Sequence, residues 1–393
     1  VVFRGAIIVF ILGSLACGLS NDTYQLIAAR ALQGIGGAMM VPVGRLVVLR
    51  KIPKNELVGA MAWITIPALV APIVGPLIGG FVATYGSWRW IFFINLPIGL
   101  IGYMLATRYL DEAEPEPARP LDLRGWALLG SGVASLVLGL ENLGKELIPA
   151  PAISALLGLG FLLLAFYTLR SRRVLHPIIN LALLRTTTFR AALLGGALFR
   201  VALGASTLLL PMMLQVGFGL TPLNSGLLTF AGAVGAVMMR TSASRLVRRF
   251  GFRRLLIADT LIASGLLLGY SLLTAGTPHP LMLLLFLATG FSRSLMFTCV
   301  GTMAYADIAE RDMSHATSFS GTAQQLSLTL GVGLAAQVLH ITAATRGSSV
   351  LMPFDFSIAY LAVGIISLSS ALIYWRLPPD AGSNVSGHRK ASL

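Results

Sequence analysis

Charge is scarce in this chain. Only 11% of its 393 residues are Asp, Glu, Lys or Arg, where a soluble globular domain carries about 25%, so an ordinary water-facing surface cannot be made from it. Acid is scarcer still. Fifteen Asp and Glu stand against 29 Lys and Arg, and none of the fifteen falls at mid-depth of an apolar run; Asp259 lies near the cytoplasmic end of its run and Glu141 at the outer end of another. Cysteine is limited to Cys17 and Cys299, both inside apolar runs, so no disulfide framework is implied. His176, His279, His315, His340 and His388 are scattered, and neither HExxH nor CxxC occurs, so no metal ligand set is indicated. No GxxxxGK[ST] loop is present, which argues against an ATP-driven pump and leaves an ion gradient as the expected energy source. Nothing indicates an enzyme or a cofactor.

Apolar residues fill the space that charge leaves. They make up 56% of the chain, and mean hydropathy is +0.82. Runs of roughly 20 residues, the length needed to cross a bilayer, recur at 5–19, 24–49, 57–82, 90–109, 123–140, 152–169, 189–216, 223–239, 255–273, 281–305, 316–341 and 356–375. The reading is an all-α polytopic membrane protein with twelve spans. A net charge of +14 would by itself suggest a nucleic-acid partner. Its placement says otherwise: 23 Lys and Arg fall on one set of alternate loops, three on the other and three inside spans. The rich side is expected to be cytoplasmic. Both ends of the chain then face the cytoplasm, and the partner is the lipid bilayer of a cell (inner) membrane, with no nucleic acid. The formal sequon Asn384-Val385-Ser386 falls in the cytoplasmic tail and is discounted.

The run 57–82 is the one around which the others are expected to be arranged. It carries Pro67, Pro72 and Pro76 with Gly75, Gly79 and Gly80. Prolines are tolerated in a membrane bundle because neighbouring helices re-satisfy the freed carbonyls. Gly75 and Gly79, four apart, form a small-xxx-small face suited to close packing. Arg30 lies about two turns into an otherwise apolar run, with Gln33 and Gly34 on its face. A buried arginine costs a few kcal/mol, so it is expected to face a partner or a water-filled cavity, the alternative being snorkelling to the headgroups. Arg200 and Arg293 lie mid-span without an acid in reach on their own helices. They are read either as cavity cations or as arginines bonded to carbonyls at helix breaks near Gly204 and Gly290. Gln215, Gln324, Gln325, Asn95 and Trp63 are further polar groups at depth, suited to interhelical hydrogen bonds.

Several stretches resemble one family. The run 30–42, RALQGIGGAMMVP, is similar to the fourth-helix motif of the major facilitator superfamily, and GPLIGG at 75–80 resembles its fifth-helix antiporter motif, although Ala71 stands where Gly is more usual. WRWIFFINLPIG at 88–99 resembles the signature of the fourteen-helix drug:proton antiporters of the EmrB/QacA type, and the likeness extends through 214–219 and QQLSLTLGVG at 324–333. RLVRRFGFRR at 245–254, with Arg245, Arg249, Gly251, Arg253 and Arg254, is similar to the family's cytoplasmic loop motif.

The resemblance implies two six-helix halves related by inverted repeats. It divides the chain into a first half at 1–110 with only four helices, a cytoplasmic linker at 111–122, an extra helix pair at 123–170, a loop at 171–188, a six-helix half at 189–376 and a tail at 377–393. Two helices and about 80 residues are expected to be missing before Val1, on the arithmetic of two 20-residue spans with their loops. The family's first-helix acid would lie there, so the coupling carboxylate is not assigned. The implied function is proton-coupled efflux of small apolar or cationic compounds by alternating access. Arg30, Gln33, Arg200, Gln215, Gln324 and Arg293 would lie on the proton or substrate pathway, and Pro72, Gly75, Pro76, Gly79 and Gly80 would seal the antiporter helix. Alternatives left open are a carrier of one metabolite and an inactive truncated product; an accessory or outer-membrane partner also stays open.

Overall fold

The structure, a computed structural model, describes residues 2–53, 56–64, 71, 75, 78–79, 82, 85–110, 122–142, 148–174, 177–347 and 350–387. The described elements are helical, and ten of them are long and apolar enough to span a bilayer. Most of the expected proline-rich span at 57–82 lies outside the described residues, as does the linker at 111–121.

The helices gather into two compact units: Val1–Lys51 with Ala71–Arg119, and Ile52–Val70 with Pro120–Leu393. In the first, α1 (Val2–Leu19) packs along α2 (Thr23–Lys51) and α3 (Asn95–Tyr109). Gly13 and Gly36 make the α1–α2 approach possible: a Cβ on Gly13 would strike the Gln33 backbone, and one on Gly36 the Phe10 backbone. Gly34, which shares the face of Arg30, meets nothing within 4 Å, so the contact glycine of α2 is Gly36. The membrane-length stretch Trp90–Tyr109 is interrupted at Ile94, a turn at Trp90–Phe93 preceding α3. Phe93 fills the space over Gly18, and Ile11 lies over Gly99, so the 88–99 signature docks α3 onto α1.

The second unit begins its described long helices with α4 (Leu123–Glu141) and α5 (Ala150–Ser171), a hairpin whose α4 also packs on a later helix. Then come α6 (Thr187–Met212), α7 (Pro222–Ser271), α8 (His279–Ala306), α9 (Met313–Thr345) and α10 (Pro353–Trp375). Proline opens α5, α7, α8 and α10 within their first two positions, where its missing N–H costs nothing and its fixed φ suits a helix start. Helix α7 holds two of the expected spans in 50 residues, folded at Gly251 (φ 71°, ψ 166°) into two arms. That φ favours glycine because it has no Cβ to clash.

Helices α6 and α9 start at the end of the unit that carries the arginine-rich turn at 245–254, whereas α8 and the first arm of α7 finish there. Thr188 near the start of α6 donates to Asp307 just beyond α8, 2.8 Å, which fixes the two ends together. Each pair is crossed on glycine in the same way. A Cβ on Gly204 of α6 would strike the Leu328 carbonyl of α9, and one on Gly331 of α9 the Val201 carbonyl of α6. In α7 and α8, Gly290 lies against the Gly232 carbonyl and Gly235 against the Leu287 carbonyl. The contact residues are three apart on all four helices, and the two pairs run in opposite directions, the pattern of an inverted repeat. Gly204 and Gly290 therefore sit in unbroken helix at crossings. The alternative of helix breaks beside Arg200 and Arg293 is corrected by this.

The apolar core of the unit occupies the end away from the arginine-rich turn, with Leu209, Met213, Leu214, Tyr270, Phe286, Phe356 and Tyr360 among its buried members. Tyr270 packs edge-on against Phe286 at 5.3 Å and Tyr360 at 5.0 Å between ring centroids. Asp355 at the start of α10, fully buried, is held in a two-pronged ion pair by Arg346 from the end of α9 and accepts from the Met352 amide at 2.8 Å. Pro211 precedes a π turn at Met213–Gly217 that ends α6, and Phe218 N–H reaches the Met213 carbonyl at 2.9 Å.

Candidate functional site

Within the first unit, polar side chains link α1, α2 and α3. Arg30 is exposed on α2 and donates to Gln33 Oε1 at 2.6 Å, one turn on. Gln33 is 4% exposed and donates through Nε2 to Ser14 Oγ of α1 at 2.5 Å; Asn95 Nδ2 of α3 approaches the same hydroxyl at 3.4 Å. The Arg30 guanidinium also stands 5.8 Å from the centroid of Phe92, within cation–π range. A cation is thus held in apolar helices by a neutral amide, and the amide is fixed by a hydroxyl across the helix interface. The pairing of Arg30 with Gln33 follows from their spacing. The part played by Ser14 does not, since a lone serine in an apolar run has no sequence signal.

Arg89 of the 88–99 signature caps this arrangement from the loop: its guanidinium donates to the Ser20 carbonyl at 2.9 Å and lies 4.7 Å from the Trp88 ring. Within the antiporter-motif run, Pro72, Pro76 and Gly80 lie outside the described residues. Gly75 and Gly79 meet no described atom within 4 Å of a Cβ.

In the second unit Arg200 is 4% exposed in the middle of α6, its guanidinium curled over Gly196 and 5.9 Å from the Phe297 ring of α8. Arg293 is half-buried on α8. Gln324 is half-buried in α9 and Gln325 exposed. Gln215 is exposed in the π turn that follows Pro211 at the end of α6, within the membrane-length stretch Thr187–Gly217. The structure thus brings Arg30 and Gln33 together in the first unit, while Arg200, Arg293, Gln215 and Gln324 belong to α6, its terminal π turn, α8 and α9 of the second.

A polar layer that the sequence did not single out lies between the arginine-rich turn and the apolar core. Asp259 of α7 is 3% exposed and accepts from Ser292 Oγ of α8 at 2.8 Å. Thr260 and Ser370 of α10 pair at 3.4 Å, and Ser264 is buried beside them. Asp259 is eight residues past Gly251, about 12 Å into the arm at 1.5 Å per residue, so it is not an end group.

The arginine-rich turn is itself built to hold a shape. Arg253 donates to the Trp375 carbonyl of α10 at 3.0 Å, Arg249 lies 5.5 Å from the Phe250 ring, and Arg245 and Arg254 are exposed. Asn384 donates to the Ala306 carbonyl at 3.0 Å, bringing the tail onto the end of α8. A cleft at this end, lined by Ile52, Glu56, Trp63, Ser244, Arg248 and Ser386, uses none of the predicted pathway residues. On the hairpin of α4 and α5, Asp122 caps α4 through Gly125 N–H at 2.9 Å and pairs with Arg170 at 2.7 Å. The hydrogen bond from Arg170 is the main cause that holds the Asp122 carboxyl below the usual carboxylate range, against the opposing effect of burial. No cluster of metal-ligating residues occurs among the described residues.

Comparison with known proteins agrees with this architecture. Residues 1–332 match the family model described as the Major Facilitator Superfamily. The chain is 36% identical over 387 residues to a protein of Yersinia enterocolitica provisionally named multidrug resistance protein MdtD, covering 98% of this chain and 82% of that one. It is 36% identical over 393 residues to the MdtD protein of Escherichia coli strain 55989, covering 99% and 83%. Among solved structures it resembles the human organic anion transporter MFSD10, with a TM-score of 0.67 at 14% identity over 95% of this chain and 76% of that one. A variant of the fucose:proton symporter FucP of Escherichia coli gives a TM-score of 0.59 at 12% identity, over 95% and 83%. At such identities these two structures speak for the fold alone.

Proposed function

Because the chain belongs to the Major Facilitator Superfamily, and so is a multi-pass membrane transporter and not an enzyme, we propose that it exports small apolar or cationic compounds in exchange for protons. The observation that carries this reading is the chain Arg30–Gln33–Ser14, a cation set into apolar helices on neutral partners. A cation within a span costs free energy unless it faces water or a polar partner, and an exposed guanidinium fixed by an amide about two turns into α2 is placed to serve solute or protons. The names of the MdtD relatives support drug export over other cargo. On this reading the protein is of the fourteen-helix EmrB/QacA type, both ends of the chain are cytoplasmic in an inner membrane, and the arginine-rich turn at 245–254 is a cytoplasmic loop. Gly75, Pro76, Gly79 and Gly80, with Pro72, would seal the antiporter helix. Arg200, Arg293, Gln215 and Gln324 would contribute to the pathway from the second unit.

The test is ethidium accumulation in proteoliposomes driven by a pH gradient, with the wild-type chain and Arg30→Ala. The variant is expected to reach wild-type expression and lose accumulation. Unchanged accumulation would remove Arg30 from the pathway. A panel of dyes and metabolites in the same vesicles decides the cargo: transport of one narrow metabolite and of no dye would replace drug export with a single-solute carrier.

A further inference from the structure

Among the described residues of the second unit, three carboxylates have buried side chains, and one of them is unlike the others. Asp122, its side chain 5% exposed, is paired with Arg170, and Asp355, fully buried, with Arg346. Asp259 is buried as deeply and takes part in no ion pair among the described residues. Its Oδ1 accepts a single bond, from the neutral hydroxyl of Ser292 at 2.8 Å, and its buried Oδ2 has no hydrogen-bond partner among the described residues.

Among the described residues no cation is bonded to it. From α8 come Ser292 and the buried thiol of Cys299; Arg293 is the neighbour of Ser292, and adjacent helical residues do not share a face. From α10 come Ser370, paired with Thr260, and the phenol of Tyr374. Arg200 of α6 is within electrostatic reach of Tyr374 and lies over Gly196 and the Phe297 ring. An isolated ionised carboxylate in such surroundings is far more costly than its neutral acid, and one neutral donor does not offset the difference.

We propose that Asp259 is a proton-binding group of the second unit, neutral while the second arm of α7 and α8 enclose it and ionised when their separation admits water. The step is a simple proton transfer: the O–H bond at Oδ2 breaks, water takes the proton, and the electron pair stays on the carboxylate, which keeps the Ser292 bond. Enclosure reverses it. The same α8 crosses the first arm of α7 at Gly290, two residues before Ser292, so a shift of α8 at that crossing changes the proton site directly. This deepens the transport reading and rests on it for the meaning of the proton, but not for its presence.

Infrared spectroscopy of the reconstituted full chain reads the proton without any cargo. The wild type should show a carboxylic-acid carbonyl band at neutral pH that Asp259→Asn lacks. Ser292→Ala, having lost the one donor to Asp259 among the described residues, should keep the band to higher pH. A neutral-pH spectrum that is the same in wild type and D259N would overturn the proposal. Should D259N fail to fold, Asp259→Glu is expected to retain a band titrating at a shifted pH, and no acid band in D259E would overturn it equally. Ethidium vesicles then read coupling: D259N should lose pH-driven accumulation and keep ethidium exchange at equal pH. Accumulation as in the wild type overturns the coupling. A wild type that moves no ethidium but shows the band defeats the export reading and leaves the proton site standing.

Discussion

Gly290 of α8 lies so close to the carbonyl of Gly232 in α7 that a single added methyl at position 290 would overlap it. Backbone therefore meets backbone at this crossing, and no flexible side chain stands between to give way. Gly290→Ala is expected to cost about 1–3 kcal/mol, as overpacking of a close-packed interior does, read as a lower unfolding midpoint in detergent. Ala at Gly226, which meets nothing within 4 Å on the same helix as Gly232, should leave the midpoint much closer to wild type.

Gly251 holds the fold of α7 at φ 71°. Gly251→Ala places a Cβ in a region that costs about 1–3 kcal/mol per residue, and the Arg253 bond to the Trp375 carbonyl leaves the turn little room to relax. The expected result is a lower yield of folded protein and a lower unfolding midpoint, with Arg245→Ala on the exposed face of the turn as the mild comparison.

Asp122 gives a pH signature. Its carboxyl is held below the ordinary carboxylate range by Arg170, so its contribution to stability is present above the unfolded-state value and is lost as pH falls through the lower folded-state value. Asp122→Asn keeps an N-cap side chain and removes the charge, whereas Asp122→Ala removes both. The gap in unfolding midpoint between wild type and D122N should therefore narrow on acidification. D122A should retain a further deficit of about 0.5–2 kcal/mol at every pH from the lost cap.

Arg346 is the counter-charge of the fully buried Asp355. Removing one member of a buried pair typically costs about 3–5 kcal/mol; the Arg346 side chain is 23% exposed, which places the expected loss for Arg346→Ala at the lower end. Arg346→Ala with Asp355→Asn together should recover part of it, because the stranded charge goes with its partner. Unfolding midpoints of the two single variants and the double variant check this.

The all-helical class and most spans are legible because a bilayer-length apolar run is a strong signal, and the chain has little else. The Arg30–Gln33 pair is legible too, being one helical turn apart. Contacts between helices are not. Glycine serves a break and a crossing alike, so Gly204 and Gly290 read as candidate breaks until α9 and α7 are seen against them. Gly34 shares the face of Arg30, yet Gly36 makes the contact with α1. Gln215 falls inside an apolar run whose last turn is a π turn, and that change of geometry, which leaves it exposed, has no sequence signal of its own. Asp259 reads as terminal by counting from the arginine-rich loop, but Gly251 starts a new arm, and depth is measured from there.

The glycine crossings of α6 with α9 and of α7 with α8 set the spacing of these cylinders by main chain alone. Residues elsewhere on the same helices are then free to vary in size without changing where the rods stand. A scaffold of this kind is suited to altering what it accommodates over evolutionary time, since the bearing and the upholstery are made of different parts.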